Sequence, residues 1–494
     1  SDEKSGDEVS SEEEEEEIVD NIWVHDYHLS LVPKMIEERG IRGFCDDTSN
    51  VGDNGNSMND DDTDNDDDKI EPSNSNARLP VIFFLHIPFP TSQIFRELNF
   101  SPQILESFLS ATLVGFHAFN HARHFINSAK RILGIPTFRG RAGGLIGLDM
   151  QSRYKRKTSN NRGSGISKSQ GCYVCLSHVS IESVSLDQVM QKDTFWSDVE
   201  HWRVKGGTNL NFVDQADDSD SNTGTTTPKS KNSSRTNSRA ASPHTTMLQQ
   251  TFNRRRSNGP RRKLLIGSVD VAQKLSGVPL KLVTFETLLH DYPVWKHNVT
   301  LIQVVTIPGS RPADESLTLR EIRTIVRRLR ATYGNGVIVY EEVRGAVVDL
   351  HSRVAMYMAS DVYFSSAIRE GLNLSPLEYV YTRGARAGSR SSPAGVVITS
   401  EFSAVTTILN GALRINPFDV VKSADTLDKA LSMSRREKEA RRARDISFVG
   451  NNCASEWSRK VLADLREASG QAGWGGRKIN RAQRKEGAEV RSSM

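Results

Sequence analysis

The sequence predicts an α/β protein built of two doubly wound, Rossmann-like lobes that are interrupted by disordered insertions. Three observations carry this reading. In both halves of the chain, short and fully apolar runs alternate with segments of helical period. Four strongly polar segments separate these patterned stretches. The chain has 494 residues of which 37% are hydrophobic, enough for a sizeable core in two or three domains, while 25% charged residues and a mean hydropathy of −0.48 show polar segments diluting it.

In the first half, Ile22-Trp23-Val24-His25 reads as a strand, His28 to Glu38 as a helix and Val81 to Leu85 (VIFFL) as a fully buried strand. Ile104 to Leu113 is helical, Val114 to Phe116 is a short strand, and Asn120 to Leu133 is a helix closed by Gly134. The second half repeats the style with strand Leu264 to Val269, helix Leu280 to Leu289, strand Thr300 to Thr306 and a helix carrying Leu319, Ile322, Ile325, Val326 and Leu329 that Gly334 ends. Strand Val337 to Tyr340, helix Leu350 to Met358, strand Val362 to Phe364, helix Leu374 to Tyr381 and strand Val396 to Thr399 follow. This order is that of parallel sheets covered on both faces, with ligands at the carboxyl ends of the strands.

The expected organisation is an acidic tail over 1–17, an incomplete first lobe over 18–190 with a disordered loop at 46–76, and a linker with a Ser/Thr/Arg-rich insertion over 191–262. A second lobe over 263–467 and a basic tail over 468–494 complete it. The polar stretches, including a patch near Lys155 to Gln170, bury too little apolar surface to offset their ordering entropy.

The net charge of +3 hides acidic runs in the first third and Lys/Arg clusters around residues 229 to 263 and near the C-terminus. These clusters lie among Ser, Thr, Asn and Gly without an aromatic platform, so they read as solvated segments and not as a nucleic-acid site. Four cysteines make no disulfide framework, which points to a reducing, cytoplasmic setting. No apolar run approaches the roughly 20 residues of a spanning helix. The acidic start resembles no secretory signal, and Ser1 in place of Met suggests a fragment or a truncated gene model.

Polar and aromatic groups follow the first two strands, as His25-Asp26-Tyr27-His28 and His86-Ile87-Pro88-Phe89-Pro90. There they face the ligand edge of the sheet or serve as satisfied turn residues. The blocks IWVHDYHLSLVP, FFLHIPFPTSQIFR and VGFHAFNHARHFINSAKRILG, with LIQVVTIPGSR, SDVYFSSAIREGLNLSPLEYV, GVVITSEFSA and ALRINPFDV, resemble in order those of the trehalose-6-phosphate synthase family. The resemblance spans roughly Ile22 to Gly134 and Leu264 to Glu467.

It implies a GT-B fold and a retaining transfer of glucose from UDP-glucose to glucose-6-phosphate, with no metal or other cofactor. It also admits other trehalose synthase or phosphatase subunits as partners. Asp26 and His86 match positions that contact the sugars, Glu370 stands where the family has Asp beside the transferred sugar, and Arg311 matches an acceptor-phosphate arginine. Gly371, Leu372, Asn373 and Leu374 open a helix whose N–H groups and dipole suit the donor diphosphate, and Glu378 matches a ribose-binding carboxylate.

Departures accompany the match. The family's G-V-D-R-L-D-Y-x-K-G reads here Ser268-Val269-Asp270-Val271-Ala272-Gln273-Lys274-Leu275-Ser276-Gly277, so Val271 and Ser276 replace the two cations that clamp the donor phosphates. Lys274 is a substitute only if the loop shifts by two residues. The glycine-rich N-terminal loop and a following phosphatase domain are not found, and a catalytically weak or regulatory subunit is the alternative function.

Other patterns read as ordinary structure. His117, His121 and His124 are cleft or surface polar residues and not a zinc site, and Cys172-x-x-Cys175 lies on a strand with alternating faces. Asp60 to Asp68 lacks the glycine and glutamate of a calcium loop, and Gly140, Gly143, Gly144 and Gly147 suit a hairpin turn. Arg239 to Ser242, Arg254 to Ser257 and Thr227-Pro228 are candidate kinase substrates.

Overall fold

The computed structural model describes residues 21–39, 79–139, 145–149, 171–208, 262–345, 347–384, 386–387 and 390–471. The acidic tail, the loop at 46–76, the patch near Lys155, the phosphorylation motifs and the tail beyond 471 lie outside the described residues. The chain forms two compact units: Ser1–Ile181 with Glu370–Leu372 and Asn451–Met494, and Glu182–Arg369 with Asn373–Gly450.

The first unit holds a six-stranded sheet of β1 (Ile22–His25), β2 (Val81–Leu85), β3 (Leu113–Phe116), β4 (Thr137–Arg139), β5 (Ile146–Asp149) and β6 (Gly171–Leu176), ordered β1-β2-β3-β6-β5-β4. β1, β2, β3 and β6 are parallel, and β4 and β5 pair antiparallel; Gly147, expected in a turn, lies within β5, while Gly140, Gly143 and Gly144 lie outside the described residues. Successive strand residues face opposite sides, and here both sides are covered. Phe83, Leu85, Val114 and Phe116 pack with Leu105, Phe108 and Phe125 of the helices Ser101–Leu109 and Phe119–Ser128, while Ile82, Phe84, Leu113 and Tyr173 pack with Trp457, Val461 and Leu465. Cys172 and Cys175 are buried on these opposite faces.

The second unit holds β7 (Leu264–Val271), β8 (Val299–Ile307), β9 (Ile338–Arg344), β10 (Val362–Phe364), a small hairpin β11–β12 (Arg386–Ala387 and Arg390–Ser391), β13 (Val396–Ser400) and β14 (Leu413–Ile415). Its six-stranded sheet, ordered β14-β13-β10-β7-β8-β9, is parallel throughout. Helices Val278–Asp291, Pro312–Tyr333 and Val420–Leu431 bury Leu282, Phe285, Ile322, Val326, Leu329 and Leu427 against it.

Several boundaries differ from the sequence reading. The first unit stops at Ile181, and the helices Ser183–Met190 and Phe195–Lys205 join the second unit through Leu186, Val189, Phe195, Val199 and Trp202. The span 191–262 thus contains a packed helix, because those apolar residues recur at helical spacing. The expected second lobe over 263–467 also ends early: from Asn451 the chain returns to the first unit, and the helix Ala454–Gln471 carries into the supposed basic tail. The helix expected from His28 is a 3₁₀ turn, Tyr27–Leu29, followed by a helix over Val32–Arg39. The helix expected over Ile104 to Leu113 spans Ser101–Leu109, since Pro102 suits its first turn and Leu113 opens β3.

Candidate active site

In the first unit the carboxyl ends of four adjacent parallel strands bring forward His25 and Asp26 (β1), His86 (β2), His117 (β3) and Ser177 (β6). The three imidazoles form a chain. His25 Nδ1 lies 2.9 Å from His86 Nε2, His86 Nδ1 lies 2.9 Å from His117 Nε2, and His117 Nδ1 lies 3.3 Å from the Ser177 carbonyl oxygen. A carbonyl can only accept, so His117 carries its proton on Nδ1 and its Nε2 accepts from His86 Nδ1–H. By the same step His86 Nε2 accepts from His25. One terminal acceptor fixes all three tautomers.

Burial shifts all three imidazoles toward the neutral form, most strongly His117. It is the main cause that lowers the pKa of His25, against the opposing Asp26 charge, and that of His86, with His25 adding to it. His117, 1% exposed, is pushed down to about 3 by burial and then by His86. Aromatic rings enclose the row: Trp23 stacks 5.2 Å from His25, Phe84 lies 5.0 Å from His117, and Trp457 lies 6.3 Å from His86. His117 is therefore a buried link to His86, which the reading of His117, His121 and His124 as cleft or surface residues missed.

Asp26 is the non-glycine residue with positive φ among the described residues, at φ 64° and ψ 170°. This region is nearly exclusive to glycine and costs about 1–3 kcal/mol. The conformation lets the Asp26 N–H donate to the Phe84 carbonyl at 2.9 Å while its carboxylate accepts the His86 N–H at 3.3 Å. Asp26 and His86 are thus held together. The tip Glu370–Leu372, expected within the second lobe, clusters with the first unit because a Cβ on Gly371 would lie 2.1 Å from the His86 carbonyl oxygen, an approach only glycine permits.

In the second unit Val271 is the last residue of β7, two positions beyond the expected end at Val269, and is half-buried. Ser276 lies in the 3₁₀ turn Lys274–Ser276, which Gly277 closes at φ 69°, and the Lys274 side chain is exposed. Lys281 is fully buried, and its ammonium donates to the Asp270 carboxylate and the Ser268 hydroxyl. Gln303 Nε2 gives that carboxylate a further bond at 2.8 Å. This lysine is committed to the core.

Arg311 is exposed at the start of the helix Pro312–Tyr333, where Glu315 accepts the N–H groups of Gly309 and Arg311 at 3.1 Å each. Asn373 Oδ1 accepts Ser375 N–H at 3.0 Å at the start of the helix Ser375–Thr382, whose flanking residue Leu374 is half-buried. Glu378 is 7% exposed and takes a two-pronged bond from Arg353 at 2.8 and 2.9 Å. Each of its oxygens keeps a second acceptor direction. No group of three or more His, Cys, Asp or Glu able to hold a metal occurs among the described residues.

A family model described as Glycosyltransferase family 20 matches residues 3–228 and 227–467. The chain belongs to glycosyltransferase family 20. Among family 20 relatives, a probable alpha,alpha-trehalose-phosphate synthase (UDP-forming) 8 of Arabidopsis thaliana is 26% identical over 91% of this chain and 40% of its own length. An alpha,alpha-trehalose-phosphate synthase (UDP-forming) of Yarrowia lipolytica is 26% identical over 90% of this chain and 71% of its own. The chain thus spans about two-fifths of the length of that Arabidopsis relative. A solved alpha,alpha-trehalose-phosphate synthase (UDP-forming) of Burkholderia xenovorans, in complex with glucose-6-phosphate, matches with a TM-score of 0.62 and 18% identity over 90% of this chain and 74% of that one. A trehalose-6-phosphate protein of E. coli bound with UDP-2-fluoro glucose matches with a TM-score of 0.60 and 19% identity over 90% and 73%. With the two parallel-sheet units, these likenesses establish the GT-B fold class.

Proposed function

We propose that this family 20 chain works in trehalose biosynthesis, transferring glucose from UDP-glucose to glucose-6-phosphate with retention at the anomeric carbon. The observation that carries the reading is the strained Asp26 locked to His86 at the carboxyl edge of a parallel sheet. Strain of this kind persists where function demands a fixed geometry. In this reading Asp26, His86 and Glu370 contact the sugars and Arg311 holds the acceptor phosphate. The backbone of Gly371, Leu372, Asn373 and Leu374 faces the donor diphosphate, and Glu378 faces its ribose. No metal or other cofactor takes part, and the setting is cytoplasmic.

A second reading, a catalytically weak or inactive subunit that works with other trehalose synthase or phosphatase subunits, is favoured by one observation. Val271 and Ser276 stand at the clamp positions, and Lys281 is buried against Asp270. Two charge-assisted hydrogen bonds, each about 1.5–3 kcal/mol, supply roughly 3–6 kcal/mol, or about 10²- to 10⁴-fold in rate.

One experiment separates the readings: UDP release from UDP-glucose and glucose-6-phosphate, measured beside a Val271→Arg, Ser276→Lys variant. Turnover by the unaltered chain at an ordinary enzymatic rate supports the first reading. Silence of the unaltered chain, with glucose-6-phosphate still bound, supports the second.

A further inference from the structure

The helix Pro312–Tyr333 carries Arg320, Arg323, Arg327 and Arg330 at intervals of three or four residues, hence on one face. Like charges at this spacing repel, and the core does not require them, since Leu319, Ile322, Ile325, Val326 and Leu329 make the helix's buried contacts. The arginines line a concavity of about 670 Å³ with Ser316, Leu319, Val326 and Tyr340, the last on the edge strand β9. That volume falls within the range of small-ligand sites, about 300–1,000 Å³.

The charges there are largely uncompensated. Arg323 pairs with Glu342 at 2.5 and 2.7 Å, and the same carboxylate accepts the Tyr340 hydroxyl at 2.8 Å. Arg327 donates to the Arg323 carbonyl at 3.3 Å and to the Thr324 hydroxyl at 3.4 Å. The Nε of Arg330 is buried without a hydrogen-bond partner. Among the described residues no carboxylate forms an ion pair with Arg320, Arg327 or Arg330.

We propose that this groove is a binding site for a small polyanion with two or more linked phosphoryl groups. Guanidinium forks match phosphate oxygens in plane and number. The ten helical rises from Arg320 to Arg330 extend about 15 Å, so a single phosphate cannot engage all of them. The groove is made by the middle and end of this helix, whereas Arg311 stands at its start, so the site does not depend on the transferase reading.

The test is calorimetric titration of the full chain with tripolyphosphate, beside inorganic phosphate and a glutamate-rich peptide. The unaltered chain should bind tripolyphosphate more tightly than phosphate. An Arg320→Gln, Arg327→Gln variant should weaken that binding at least about tenfold, and Arg311→Ala should leave it unchanged. Glutamine keeps the helix propensity; should the double variant fail to fold, Arg320→Gln alone decides the same comparison. Binding within about twofold of the unaltered chain in the groove variant overturns the proposal. Loss of binding in Arg311→Ala, or tighter binding of the peptide than of tripolyphosphate, also overturns it.

Discussion

At the scale of single residues, the conformation of Asp26 sets stability against function. A glycine there adopts φ 64° without steric cost, so Asp26→Gly should raise the unfolding free energy by about 1–2 kcal/mol and, on the proposed function, weaken glucose-6-phosphate binding. Urea unfolding beside a glucose-6-phosphate titration checks both. His117 carries a pH signature. Its folded pKa, near 3, lies below its unfolded value, so the unfolded state gains a proton that the folded state refuses as pH falls from about 6.5 toward 3. Stability present above that window is lost within it. In His117→Phe the urea midpoint should fall less steeply between pH 6.5 and 4. Because His86 loses its acceptor in that variant, ¹⁵N resonances of its ring should show the proton moved from Nδ1 to Nε2, whereas His117→Gln, which offers an amide oxygen, should preserve it.

At the scale of elements, the turn after β7 depends on Gly277. It sits at φ 69°, and a Cβ there would lie 2.0 Å from the Ser366 carbonyl oxygen. Gly277→Ala should therefore cost roughly 2–4 kcal/mol, measured as a lower thermal midpoint. The strands were legible in the sequence, and VIFFL and VYF match β2 and β10 to the residue, because a strand buried on both faces is a continuous apolar run with polar punctuation. Helix starts were less legible. Tyr27–Leu29 shows why: the backbone leaves β1 through the unusual Asp26 conformation, which no local pattern of His, Leu and Ser announces.

At the scale of the whole molecule, the helix Ala454–Gln471 completes the first unit after the second has been built. Trp457 packs 5.0 Å from Trp23 and 5.1 Å from Phe84 on the sheet face behind the histidine row. Trp457→Ala should destabilise the first unit by about 3–5 kcal/mol and leave the second nearly untouched. Hydrogen exchange would then show protection falling in β1 to β3 while β7 and β8 keep theirs.

By itself the sequence determined two doubly wound lobes, the strand ends that carry Asp26 and His86, and the family, because these rest on apolar period and contiguous motifs. Tertiary structure alone decided that residues 451–471 return to the first unit and that helices 183–190 and 195–205 leave it. It also decided that His25, His86 and His117 form one directed chain and that Lys281 is tied to Asp270. The physical reason is separation along the chain: these contacts join residues brought together by β pairing and core packing, and no local periodicity records which distant partner will fill a given face.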